Sequence, residues 1–282
     1  MLVLGAVWGA SFLFLRIASP EFGPLALISL RLCISALILT PIIFYRREFP
    51  LIRANWGKLL WAGAFTSALP FTLLSIVSLS MTAGNTSLLN ATVPMYSAII
   101  TWFWLKEKLS GIGIVGLVLG FVGVFILASP EGGDYRSMWV PVLAATLGTI
   151  SYAYGSCYTN LYLHGFKPIT VTTGSQFYAA LLMLPFGILF WPDSLPSTLS
   201  WISAVSLGIF CTAMALIMFF HLLSQVGVTK SVSVAYLIPV FGILWGAIFL
   251  DEALTVKMIF GGALILMGVF LTTRQPRLKI IE

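Results

Sequence analysis

The 282 residues carry 15 basic and 9 acidic side chains, a net charge of +6, yet only 9% are charged and 59% are hydrophobic. With a mean hydropathy of +1.03 there are too few polar groups to cover a folded surface in water, which excludes a soluble domain. The basic excess falls in short loops between apolar runs rather than along one stripe, so it marks membrane topology and excludes a nucleic-acid partner.

Crossing ~30 Å of hydrocarbon takes ~20 apolar residues. The sequence predicts ten such spans, near 1–19, 24–45, 56–79, 83–104, 110–128, 138–161, 168–190, 200–222, 228–250 and 255–273. The expected fold is all-α, a polytopic membrane protein of ten transmembrane helices. The first span ends near Ala18-Ser19 like a signal peptide, but it has no basic leader and the sixth span needs it as a counterpart, so it is expected to remain. It offers Trp8 and Ser11 to a cavity.

In the second span Arg31 lies ~10 Å deep at ~1.5 Å per residue, and no Asp or Glu occupies the middle of any span to neutralise it. Its planar fork suits a substrate carboxylate. It could instead tie down helix-end carbonyls, pair with Glu21 or snorkel outward.

The fourth span places Thr86, Asn90, Ser97 and Thr101 within one arc, a polar wall at lipid depth that faces either a cavity or neighbouring helices. Asn90 is the strongest cavity candidate, because its amide both donates and accepts. In the fifth, Gly113, Gly116, Gly120 and Gly123 share a face suited to close packing, as scaffold or as a dimer contact. In the sixth, Ser156 shares a face with Thr149 and Asn160, while Tyr152 and Tyr154 sit deep enough to line a cavity. Gln176 in the seventh is a further polar candidate, as are Tyr236 and Trp245 in the ninth. His164 and His221 are isolated, and His221 reads as a hydrogen-bonded structural residue. Cys33, Cys157 and Cys211 have no metal-like spacing, so neither a metal site nor a disulfide is expected.

The second half repeats the first at an offset of 145. Pro94 pairs with Pro239, and residues 105–110 (LKEKLS) pair with 250–255 (LDEALT). Gly116, Gly123, Val124 and Phe125 pair with Gly261, Gly268, Val269 and Phe270. Each half holds five spans, an odd number, so the second copy is expected upside down relative to the first. Pro94 and Pro239 are the expected hinges. With an N-in start, Arg46, Arg47, Arg53, Lys58, Lys106, Lys108, Lys167, Lys230, Arg274, Arg277 and Lys279 all fall inside. Glu21, Glu131, Asp134, Asp193, Asp251 and Glu252 fall outside, so both termini are expected in the cytoplasm.

Trp8-Gly9-Ala10-Ser11-Phe12, Pro24 with Arg31, and two copies of a Pro-containing helix ending in an acidic turn (Pro94 to Glu107, Pro239 to Glu252) follow one another in this order. By these residues the chain resembles the drug/metabolite transporter superfamily, specifically its EamA family of ten-helix exporters. The resemblance implies two repeats, 1–129 and 138–273, enclosing a central cavity for efflux of small metabolites, often amino acids. An arginine shared across relatives with varied substrates weighs toward a structural or gating role for Arg31. The uncharged, partly aromatic wall leans toward neutral or aromatic amino acids, with a broad range of hydrophobic drugs as the alternative. No cofactor is expected. Gly57-Lys58 lacks the Walker A context, which argues against ATP hydrolysis in this chain. The absence of clustered carboxylates or paired histidines argues against an enzyme, and the uncharged middle against a passive channel. The expected partners are a small-molecule substrate and the lipid bilayer, with a homodimer left open. The bacterial-type inner membrane is the expected location.

Overall fold

The computed structural model describes residues 1–104, 106–107, 109–129 and 135–273. The topology residues Lys108, Glu131, Asp134, Arg274, Arg277 and Lys279 lie outside them. Every regular element among the described residues is helical. Helices α1 (Leu2–Phe22) and α2 (Pro24–Tyr45) meet at Gly23, whose φ of 73° suits glycine, and Pro24 opens α2 where its missing N–H costs nothing. The short α3 (Phe49–Ala54) leads into α4 (Trp56–Ser78).

The predicted fourth span is two helices, α5 (Ala83–Asn90) and α6 (Val93–Trp104). Pro94 has no N–H for the carbonyl of Asn90, so the chain turns at Ala91 and Thr92, and the Thr92 hydroxyl donates to the Leu89 carbonyl at 2.6 Å. Then follow α7 (Gly111–Ala128), α8 (Tyr135–Tyr162), α9 (Pro168–Leu189), α10 (Thr198–Gly227), α11 (Val234–Leu250) and α12 (Val256–Thr273). Pro239 lies inside α11 without breaking it. Seven helices (α1, α2, α4, α7, α9, α10 and α12) are long and apolar enough to cross a membrane, and α11 is a shorter apolar one. Large apolar side chains such as Phe125, Ile188 and Phe249 stay exposed, as a lipid-facing surface requires.

Two short stretches are π-helical, Ala64–Ala68 in α4 and Ile209–Met214 in α10. They begin 145 residues apart. Each adds a local bulge that a regular helix lacks.

The core is built between the halves. α7 lies along α12, α2 along α9, α1 against α10 and α11, α8 against α4 and α6, and α5 against α11. The glycine stripe of α7 is used inside the chain. A Cβ on Gly116 would sit 2.7 Å from the Gly268 carbonyl oxygen, and one on Gly123 would sit 2.6 Å from the Gly261 carbonyl oxygen. Such contact leaves the two backbones in direct van der Waals touch.

Three carboxylates fasten helix starts to distant loops. Glu21 accepts from the Ser197 amide and hydroxyl ahead of α10. Glu48 accepts from the Lys167 ammonium at 2.7 Å and from the Thr170 hydroxyl at the start of α9. Glu252 accepts from the Ala83 and Gly84 amides of α5, at 2.8 and 3.4 Å. The Lys167 ammonium, then the Thr170 hydroxyl, hold the Glu48 carboxyl below the usual carboxylate range.

Candidate functional site

Arg31 is 4% exposed, so it does not snorkel. Its Nε donates to the Thr212 hydroxyl at 2.8 Å, and its guanidinium carbon sits 3.9 Å from the centroid of the Phe71 ring. Thr212 lies in the π-helical stretch of α10. Its hydroxyl donates in turn to the Leu207 carbonyl at 2.7 Å, five residues back, a carbonyl left free by the bulge. Gly208 makes room for this join, since a Cβ there would sit 3.2 Å from the Arg31 carbonyl oxygen.

Glu21, one expected partner of Arg31, is committed to Ser197 instead. Among the described residues the one ion pair is Lys167 with Glu48, so no carboxylate neutralises Arg31, and neither terminal amino group of its guanidinium has a hydrogen bond. The charge is felt by the Tyr152 hydroxyl and the Cys211 thiol. Cys211 donates to the Val7 carbonyl at 3.2 Å and meets the Ser11 hydroxyl. Tyr152 keeps 37% of its surface exposed. Helices α1, α2, α4, α8 and α10 thus converge on one cationic group flanked by a ring, a phenol and two small polar side chains. A buried, uncompensated guanidinium is costly, and a ligand anion would remove that cost.

The model of the EamA-like transporter family matches residues 1–129 and 139–274. The chain belongs to the EamA-like transporter family. This EamA-like protein is 25% identical over 275 residues to an uncharacterized transporter of Archaeoglobus fulgidus, with 95% of each chain covered. It is 25% identical over 276 residues to the uncharacterized transporter YvbV of Bacillus subtilis, covering 96% of this chain and 89% of that one. The uncharacterized inner membrane transporter YedA of Escherichia coli is 23% identical over 295 residues, covering 98% and 92%. A solved crystal structure at 19% identity superposes with a TM-score of 0.66, covering 96% of this chain and 95% of the other, and shows a shared fold. The protein is a multi-pass membrane transporter.

The other expected residues of this EamA-like transporter divide into three groups. Ser11, Arg31 and Tyr152 belong to the centre just described. A second group is committed to neighbours. Trp245 donates to the Ala6 carbonyl at 2.9 Å, Trp8 packs on Phe219, Tyr236 bonds the Thr273 hydroxyl at 2.6 Å, and Tyr154 accepts from the Trp61 indole at 3.2 Å while stacking on Trp104. Thr86 and Ser156 donate to carbonyls one turn back in their own helices. The third group carries unused polarity. Asn90 and Ser97 are half-buried without hydrogen bonds, and the Oε1 of Gln176 is buried without a partner. Asn90 ends α5 at the break, where its own carbonyl also lacks a donor because Pro94 follows. Phe71 and Thr212 were missed from sequence. The offset of 145, which sets Thr212 against Ser67, pairs them as polar residues but does not point to a π-helical bulge.

Proposed function

We propose that this chain is a ten-helix secondary transporter, two inverted five-helix repeats that export amino acids, neutral or aromatic, from the cytoplasm across the inner membrane by alternating access. One observation carries the substrate class: a guanidinium at membrane depth with both amino groups unused, beside Phe71 and Tyr152. A carboxylate fits the fork, and a side chain of moderate size fits the rings. The two matched stretches, the paired π-helical segments and the packing of α1 on α11 beside that of α6 on α8 support exchange of roles between halves. Both termini lie in the cytoplasm, and the chain is neither enzyme nor channel. With no acid at mid-span, facilitated or exchange transport driven by the metabolite gradient is the favoured energetics.

Proteoliposomes preloaded with unlabelled amino acid are expected to accumulate the radiolabelled one by saturable counterflow, with dyes failing to compete. Uptake of dyes in preference to amino acids would move the assignment to hydrophobic drugs, and flux without counterflow would make it a channel.

The break after Asn90 is where α5 and α6 can change angle. Pro94→Ala restores the missing N–H and is expected to slow counterflow several-fold without loss of expression. Adding Pro239→Ala is expected to slow it further, although Pro239 sits in continuous helix. Undiminished counterflow in the double variant would remove both prolines from the hinge.

A further inference from the structure

We propose that Glu107 and Glu252 are reciprocal latches that set which side of the transporter is shut; this rests on the alternating-access function proposed above. Both follow the same backbone turn. Asp251 ends α11 in the left-handed region at φ 51°, and the next amide, of Glu252, donates to the Gly246 carbonyl at 3.2 Å. Lys106 follows α6 at φ 54°, and the Glu107 amide donates to the Thr101 carbonyl at 3.4 Å. All three positions repeat at the offset of 145. A non-glycine residue held there is strained by about 1–3 kcal/mol, so a turn kept twice in one register serves something.

In one copy its use is visible. The Glu252 carboxylate takes the first amides of α5, Ala83 and Gly84, which have no partner within their own helix, and it sits where the helix dipole favours negative charge. It joins the turn after α11 to the start of α5, a contact between the two halves. Gly246 leaves room for it, since a Cβ there would collide with Oε2.

In the other copy the latch is open. Glu107 is exposed and, among the described residues, has neither a hydrogen bond nor an ion pair on its carboxylate. Its counterparts of Ala83 and Gly84 are Val228 and Thr229, the first residues after Gly227. Gly227 breaks the helix at φ 78° and stands where Thr82 caps α5. The structure is therefore one end state, shut on the Glu252 side, which the predicted topology places outside. In the opposite state Glu107 caps the amides of Val228 and Thr229, and Glu252 lets go.

Hydrogen exchange of the full chain in nanodiscs, read by mass spectrometry, tests this. Glu252→Ala is expected to speed exchange about tenfold in the peptide covering 83–86 and to slow it at 228–232. Glu107→Ala is expected to do the reverse, and the double variant to return toward the parent at both. Each single variant is expected to slow counterflow, with partial recovery in the double. If Glu107→Ala moves neither peptide, or both single variants shift the peptides in one direction, the latch pair is wrong. The parent's counterflow reads alternating access separately, so a latch that fails beside intact counterflow leaves the transport assignment standing. Should Glu252→Ala not express, the slower exchange at 83–86 required of Glu107→Ala still decides the matter. The milder E252Q, which keeps one acceptor oxygen, is then expected to fall between parent and alanine.

Discussion

Arg31→Met removes transport of carboxylate-bearing substrates by about a hundredfold or more and leaves the protein at least as stable as before. The two effects separate because of the charge's setting. Two charge-assisted hydrogen bonds to a bound carboxylate are worth about 1.5–3 kcal/mol each, and ~1.4 kcal/mol is a factor of ten. In the empty protein the same guanidinium is 4% exposed with no carboxylate beside it, so a methionine of similar length relieves a buried charge. Arg31→Lys keeps the charge without the fork and falls between the two. Thr212→Val loses only the acceptor of Nε and costs less. Counterflow kinetics measured beside thermal melting would check all three. Unimpaired amino-acid transport by Arg31→Met would return Arg31 to a bracing role through Thr212.

Gly268→Val is expected to be the most disruptive single change in the scaffold. Any Cβ at this position would sit 2.5 Å from the Gly116 carbonyl oxygen and 2.6 Å from the Gly120 amide nitrogen. Both are backbone atoms of α7 and cannot swing away as a side chain can. Overpacking costs 1–3 kcal/mol where side chains yield, and more is expected where two backbones must separate, at least ~3 kcal/mol. Gly57→Ala is the control, because nothing lies within 4 Å of its added methyl group. Melting in detergent should show a large fall for Gly268→Val and almost none for Gly57→Ala. A small fall for both would mean that α7 and α12 can part at little cost.

Much of this architecture was legible because apolar length is a coarse, strong signal. Helices occur at each predicted span, yet the fourth, 83–104, is divided. Hydropathy cannot see that division, which comes from one missing N–H at Pro94. Proline alone did not predict it either, since Pro239 at the matched place leaves α11 whole. Arg31 stood out because a charge at lipid depth is rare. Its surroundings did not, since Phe71 and Thr212 are ordinary membrane residues whose importance comes from the turn of the helix that carries them. The glycine stripe was readable as close packing. Only the coordinates show that its partner is α12 of the same chain.

The π-helical stretches make α4 and α10 sensitive to length in a way that composition hides. Each bulge accommodates one residue more than a regular helix of the same rise. Losing a single residue from Ala64–Ala68 would let the helix close up and swing everything after it by about 100°, carrying Phe71 off the Arg31 guanidinium. One-residue deletions there would disturb the transporter more than most substitutions nearby, and a homologue lacking that residue would have to build its anion site with different neighbours.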